Sequence, residues 1–224
     1  PDATPAPRPP GGSCWGRVRA GVGRAAAAVR AYFVEQDPVF WVALTPALLL
    51  TAAIFVRNPG SNYIFDEQEA LLANPYVNDR SLGFFASVTE AFRKDFWGLP
   101  PTRSIGSYRP IPNLVWRGLW QLSTLPWLHH WVNVVFHAIN AALLAAFAFA
   151  ITRRRGLAWV VGGAFLASAV LTEAVTGVVG IADVLGGFGV VLALHALRGP
   201  VWSIPMTVAL ASLLGLLSKE SCLV

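Results

Sequence analysis

Charge is scarce in this chain: only 13% of its 224 residues are Asp, Glu, Lys or Arg. That excludes the highly charged, weakly apolar composition of chains that stay unfolded in water. Cysteine occurs twice, as Cys14 and Cys222, too few for a disulfide framework or a cysteine-based zinc centre. The sequence contains no glycine-rich nucleotide loop, no zinc-spaced Cys/His set and no Ser/His/Asp arrangement, so no metal site is assigned. What it has in quantity is apolar surface, with 55% hydrophobic residues. Crossing a hydrocarbon core of about 30 Å takes about 20 helical residues. Five apolar runs approach or reach that length: 38–56, 128–151, 156–171, 181–197 and 201–217. The composition therefore predicts an all-α polytopic membrane protein with about five transmembrane helices.

The positions of the arginines set its orientation. Arg8, Arg17, Arg19, Arg24 and Arg30 precede the first run, Arg153, Arg154 and Arg155 follow the second, and Arg198 follows the fourth. Alternating spans put all three groups on one side, and an excess of Arg marks the cytoplasmic side. The basic net charge thus reports topology, and no nucleic acid is needed as a partner. Residues 1–37 read as a cytoplasmic region, a Pro/Gly/Ala-rich disordered tail followed by an amphipathic helix over 15–35 lying on membrane lipid. Residues 38–224 read as the N-terminal part of a transmembrane domain whose outer loop is 57–127. The lack of an initial Met and the final Leu223-Val224 in an apolar stretch read as a fragment of a longer chain.

The outer loop is too long for a simple connection, and long loops tend to carry function. Amphipathic juxtamembrane helices are expected in it at 66–72, 82–96 and 111–122. Trp97, Trp116, Trp120, Trp127 and Trp131 are placed as an interfacial aromatic belt would be. Asp66-Glu67-Gln68-Glu69 fits a capping box, in which Asp66 caps a helix and Glu69 reaches back. It equally fits a catalytic acid pair held at the membrane surface. Glu173 and Asp183 fall on the same side in this topology, where acids near a membrane usually face a cavity. Lys219, Arg103 and Arg109 are there too, as cations suited to an anion such as phosphate. The adjacent His129 and His130 point to different helix faces and do not make a metal site. His137 and His195 lie inside runs and are expected to hydrogen-bond within the bundle.

In order along the chain come Phe65-Asp66-Glu67, Asp95-Phe96-Trp97-Gly98, Ser107-Tyr108-Arg109-Pro110, His130 with Asn133 and His137, Thr172-Glu173-Ala174-Val175, Gly180 with Asp183, and Ser218-Lys219-Glu220. From Phe40 onward this order resembles the membrane half of the transmembrane and tetratricopeptide-repeat-containing O-mannosyltransferases and their bacterial relatives, in the GT-C superfamily. Where that family usually has two Asp, this chain has Asp66-Glu67, the pair used by the related protein O-mannosyltransferases. An expected His-Pro is Ser168-Ala169 here, and an expected Arg is Ile181.

The resemblance implies a GT-C-like fold and a glycosyltransferase moving a sugar, mannose, from a polyprenyl-phosphate donor to a protein hydroxyl at the periplasmic or luminal face, with inversion. It implies Asp66 and Glu67 as catalytic acids, Arg109, Lys219 and Arg103 on the donor phosphate, and Glu173 and Asp183 at an acceptor or second acidic site. The lipid-linked sugar is then the required co-substrate, with no further cofactor assigned. A multi-pass protein of the bacterial inner membrane, rather than the endoplasmic reticulum, is expected. The residues also fit a different class, a transporter or lipid-headgroup flippase in which Glu173, Asp183 and Lys219 line a pathway.

Overall fold

The computed structural model describes residues 38–55, 62 and 63, and 66–222. The expected cytoplasmic tail and the amphipathic helix of 15–35 lie outside the described residues. The described elements are all helical: α1 (Pro38–Phe55), a π turn (Gln68–Leu72), α2 (Pro75–Asn78), α3 (Phe84–Arg93), α4 (Pro110–Leu122), α5 (Pro126–Thr152), α6 (Arg155–Leu166), α7 (Thr172–Thr176), α8 (Ile181–Ala196) and α9 (Ile204–Leu216). Single 3-10 turns at Ala169–Leu171, Val178–Gly180 and Glu220–Cys222 complete the order.

Among the described residues, two helices are long and apolar enough to cross a membrane, Pro126–Thr152 and Val178–Ala196. A third candidate is a bent pair, Arg155–Leu166 with Ala169–Thr176, whose halves meet at 42°. The apolar run at 156–171 is therefore a broken element rather than one straight helix. The runs at 38–56 and 201–217 fold as shorter apolar helices, Val39–Ile54 and Ile204–Leu216. The last is short because residues 201–203 form a turn, closed by the Ser203 N–H on the Pro200 carbonyl at 2.8 Å, before helix begins.

A break inside an apolar bundle leaves backbone carbonyls without partners, which water cannot satisfy there. One face of α5 supplies donors. His129, Asn133, His137 and Asn140 follow at helical spacing and are all buried. His137 Nε2 donates to the carbonyl of Leu166, the last residue of α6, at 3.2 Å. Asn133 Nδ2 donates to the carbonyls of Gly177 (2.6 Å) and Ala174 (3.3 Å), just where α7 ends. Asn140 Nδ2 donates to the Val184 carbonyl at 2.9 Å. His195 Nε2 makes the return contact from α8, to the Leu143 carbonyl at 2.8 Å. The bundle role expected of His137 and His195 is the one observed. Close approach of α5 and α6 needs Gly162, where an added Cβ would lie 2.8 Å from the Ala145 Cβ.

The outer loop folds onto the start of the 178–196 helix. Ala70, Leu71, Val77, Phe96 and Trp116 share one buried core with Val178, Ile181 and Leu185. Trp116 is fully buried there, its ring 5.2 Å from that of Phe96, and is not part of an interfacial belt. Buried Arg117 collects the carbonyls of Val77, Asp79 and Leu82. The expected helix 82–96 is shorter, Phe84–Arg93, because the Asp95 carboxylate draws the backbone into a turn by accepting from the N–H of Trp97 (3.1 Å) and Leu99 (2.6 Å). Gly98 makes that turn possible: its φ is +79°, and a Cβ would sit 2.7 Å from Asn74 Oδ1. Asn74 in turn caps α2, accepting from the Tyr76 N–H at 3.1 Å, with Pro75 as the first helical residue.

Candidate functional site

The adjacent acids Asp66 and Glu67 face opposite environments. Asp66 is exposed. Glu67 is 2% exposed, and its Oε1 accepts the backbone N–H of Val178 at 2.5 Å. A capping residue takes extended backbone angles, whereas Glu67 before the π turn is helical, with φ −66° and ψ −29° and no capping bond. Among the described residues neither Asp66 nor Glu69 makes a capping bond either. The capping box expected from Asp66-Glu67-Gln68-Glu69 is thus replaced by a longer-range tie. Burial of Leu71 and Ala70 against Val178 and Ile181 turns Glu67 toward the helix start, where its carboxylate meets an N–H that has no intrahelical partner.

The same peptide unit is held from the other side, because the Gly177 carbonyl takes the bond from Asn133 Nδ2. Val178 opens the helix that carries Asp183 five residues on, about 8 Å along a helical axis. Glu67 therefore grips the end of the element that carries Asp183.

A second cluster gathers four charged side chains at that end. Arg109, at the start of α4, makes a two-pronged pair with Glu220: Nε to Oε2 at 2.8 Å and Nη2 to Oε1 at 2.5 Å. Its guanidinium also lies 4.9 Å from the centre of the Phe96 ring. Lys219 Nζ pairs with Asp183 at 2.9 Å to Oδ1 and 3.0 Å to Oδ2. The Ile111 N–H reaches the Leu217 carbonyl at 3.2 Å and fastens the first turn of α4 to the end of α9. Electrostatics follow the pairing. The hydrogen bond from Arg109 holds the Glu220 carboxyl at about 2, and the bond from Glu220 raises the Arg109 guanidinium, with Asp183 adding to the effect. Cys222 sits beside the cluster, its thiol pushed up first by burial and then by Asp183.

Arg109 and Lys219, expected at a donor phosphate, are thus brought together, each already facing a carboxylate. Asp183, expected at a second acidic site, is the Lys219 partner. Glu220 was not singled out as a site residue; its signal was direct adjacency to Lys219. Arg103 lies exposed in a turn, its own N–H on the Pro100 carbonyl at 2.8 Å, and its side chain has no partner among the described residues. Glu173 is exposed in the first turn of α7. His129 is buried and pairs through Nδ1 with the Tyr63 hydroxyl at 3.1 Å. Among the described residues no group of three or more His, Cys, Asp or Glu side chains is poised for a metal ion.

The chain is similar to curated proteins of one kind. It is 32% identical to Protein O-mannosyl-transferase Tmtc2 of Drosophila melanogaster over 138 residues, 60% of this chain and 14% of that one. It is 31% identical to Protein O-mannosyl-transferase TMTC3 of Mus musculus over 145 residues, 63% of this chain and 15% of that one. It is 29% identical to Protein O-mannosyl-transferase Tmtc1 of Drosophila melanogaster over 182 residues, 78% of this chain and 20% of that one. No protein-family model and no solved structure matches. The chain has helices fit for a membrane, and these relatives are named as protein O-mannosyl-transferases. By sequence the chain is similar to the Tmtc1, Tmtc2 and TMTC3 members of that group of transferases. It spans 20% or less of the length of these three relatives.

Proposed function

We propose that this chain is the N-terminal, five-span part of a GT-C-type glycosyltransferase, transferring mannose from a polyprenyl-phosphate donor to a protein hydroxyl at the outer or luminal membrane face. Three things support the reading. The relatives are named protein O-mannosyl-transferases. Asp66 offers an exposed carboxylate next to a buried anchor. Arg109 and Lys219 bring two cations to the same helix end through Asp183.

In this reading the donor phosphate takes the place of Glu220 and Asp183 against Arg109 and Lys219, one anion exchanged for another, with Arg103 at the periphery. Asp66 accepts the proton of the acceptor hydroxyl as its oxygen attacks the anomeric carbon. The bond from that carbon to the phosphate oxygen breaks on the opposite face, and the electron pair leaves on the phosphate, whose growing charge the two cations stabilise. The configuration inverts, and no sugar is attached to the protein in between. In this reading Glu173 and Asp183 serve the acceptor or a second acidic site. The relatives named are animal proteins, so the reading keeps the sidedness of the loop and leaves aside the bacterial inner membrane.

The observation that carries the proposal is that Arg109 and Lys219 gather with Asp183 and Glu220 at the end of the 178–196 helix that Glu67, the neighbour of Asp66, also grips. It is tested by reconstituting the complete protein in liposomes with polyprenyl-phosphate mannose and a serine/threonine peptide. The expected result is donor consumption with a mannosyl peptide of inverted anomeric configuration. Headgroup translocation without consumption, or retained configuration, contradicts it.

A further inference from the structure

We infer that Glu67 is a positioning residue, which sets the place of Asp66 by gripping the Gly177–Val178 peptide and takes no proton from substrate. The inference rests on the mannosyl-transfer reading and divides the adjacent acids into two different jobs.

Geometry separates them. A general base needs its carboxylate within reach of the acceptor hydroxyl. Glu67 is 2% exposed and its Oε1 is spent on the Val178 N–H at 2.5 Å. Asp66, one residue earlier, is exposed. The Glu67 grip is not a loose one, because Asn133 holds the carbonyl of the same peptide at 2.6 Å. A polarised peptide with its N–H on a carboxylate and its C=O on an amide is fixed along its own dipole, and each bond strengthens the other. This peptide starts the Val178–Ala196 helix, which also carries Asp183. Glu67 therefore couples the turn bearing Asp66 to the element bearing the Lys219 partner. Misplacement of a reacting group by about 1 Å costs on the order of 100-fold in rate, so an anchor adjacent to the base has direct leverage on turnover.

The test uses the complete protein in membranes and compares E67A, E67Q, N133A and D66N by kcat, KM for the donor, the pH profile, and hydrogen exchange at the Val178 amide. E67A is expected to lower kcat about 10- to 100-fold with little change in donor KM, to leave the acidic limb of the profile in place, and to speed Val178 exchange. E67Q keeps a side-chain oxygen that accepts the same bond, so it is expected to rescue kcat to within about threefold of wild type and restore slow exchange. N133A loosens the peptide from its other end and is expected to lower kcat in the same manner without touching Glu67. The inference is overturned if E67Q is as inactive as D66N while Val178 exchange stays slow, since the carboxylate itself would then be used. It is also overturned if E67A changes neither kcat nor exchange. Full transfer by D66N is failure of the underlying reading; it removes the role in transfer, and exchange at Val178 reports the grip separately.

Discussion

Glu67 and Asn133 hold the two ends of one peptide bond: the acid takes the Val178 N–H and the amide donates to the Gly177 carbonyl. Residues far apart in sequence thereby join the outer loop, the long α5 helix and the start of the 178–196 helix. Removing Asn133 leaves a buried carbonyl short of a donor, which costs about 1–3 kcal/mol. N133A and E67A are expected to destabilise by amounts that do not add, with a coupling of about 0.5–3 kcal/mol in a double-mutant cycle. Unfolding in detergent micelles measures it, and strictly additive losses would count against a shared peptide.

Replacing His137 by leucine makes α5 more apolar, which hydropathy alone scores as an improvement for a membrane helix. The expected outcome is the opposite, a loss of about 1 kcal/mol, because the Leu166 carbonyl at the bend gives up its side-chain donor. The unfolding midpoint in micelles decides between the two.

Gly98→Ala adds a methyl group where φ is +79° and Asn74 Oδ1 lies 2.7 Å away. The left-handed backbone alone costs about 1–2 kcal/mol. The clash additionally disturbs the cap that Asn74 makes on α2. Limited proteolysis of the 75–99 segment is expected to quicken in this variant, and unchanged cleavage would show that the turn yields without strain.

Glu220 provides the pH dependence. Its carboxyl is held at about 2 by Arg109, below the 4.5 of an ordinary glutamate. A lowered folded-state value means that the pair stabilises fully above about 4.5 and that the contribution fades as pH falls toward 2. Because the Glu220 side chain is 52% exposed, the stabilisation is expected to stay below about 1 kcal/mol. Glu220→Gln should flatten this part of the stability profile, read as amide exchange over residues 217–222 against pH. A profile identical to wild type would show that the pair adds nothing to folding.

Hydropathy made the all-helical, apolar character legible, and the ordered motifs made the likeness to the O-mannosyl-transferase relatives legible. The break at 166–169 was hidden because Leu166, Ala167 and Ala169 extend an apolar run without any helix stop signal. The polar face of His129, Asn133, His137 and Asn140, at spacings of four, four and three, did signal that something beside α5 needed donors. The capping-box pattern at Asp66 misled because local spacing scores only the helix start. The tie from Glu67 to Val178 depends on a partner more than a hundred positions away. Likewise, Arg109 and Lys219 were readable as cations for an anion, but their pairing with Glu220 and Asp183 arises only when α4, α8 and the end of α9 meet.

Mannose transfer by Asp66→Asn in the complete protein, from polyprenyl-phosphate mannose to an acceptor peptide, tests the central claim most directly. Loss of transfer by at least about 100-fold, with folding and membrane insertion intact, is the expected result. Transfer at the wild-type rate would contradict the assignment of Asp66 as the base.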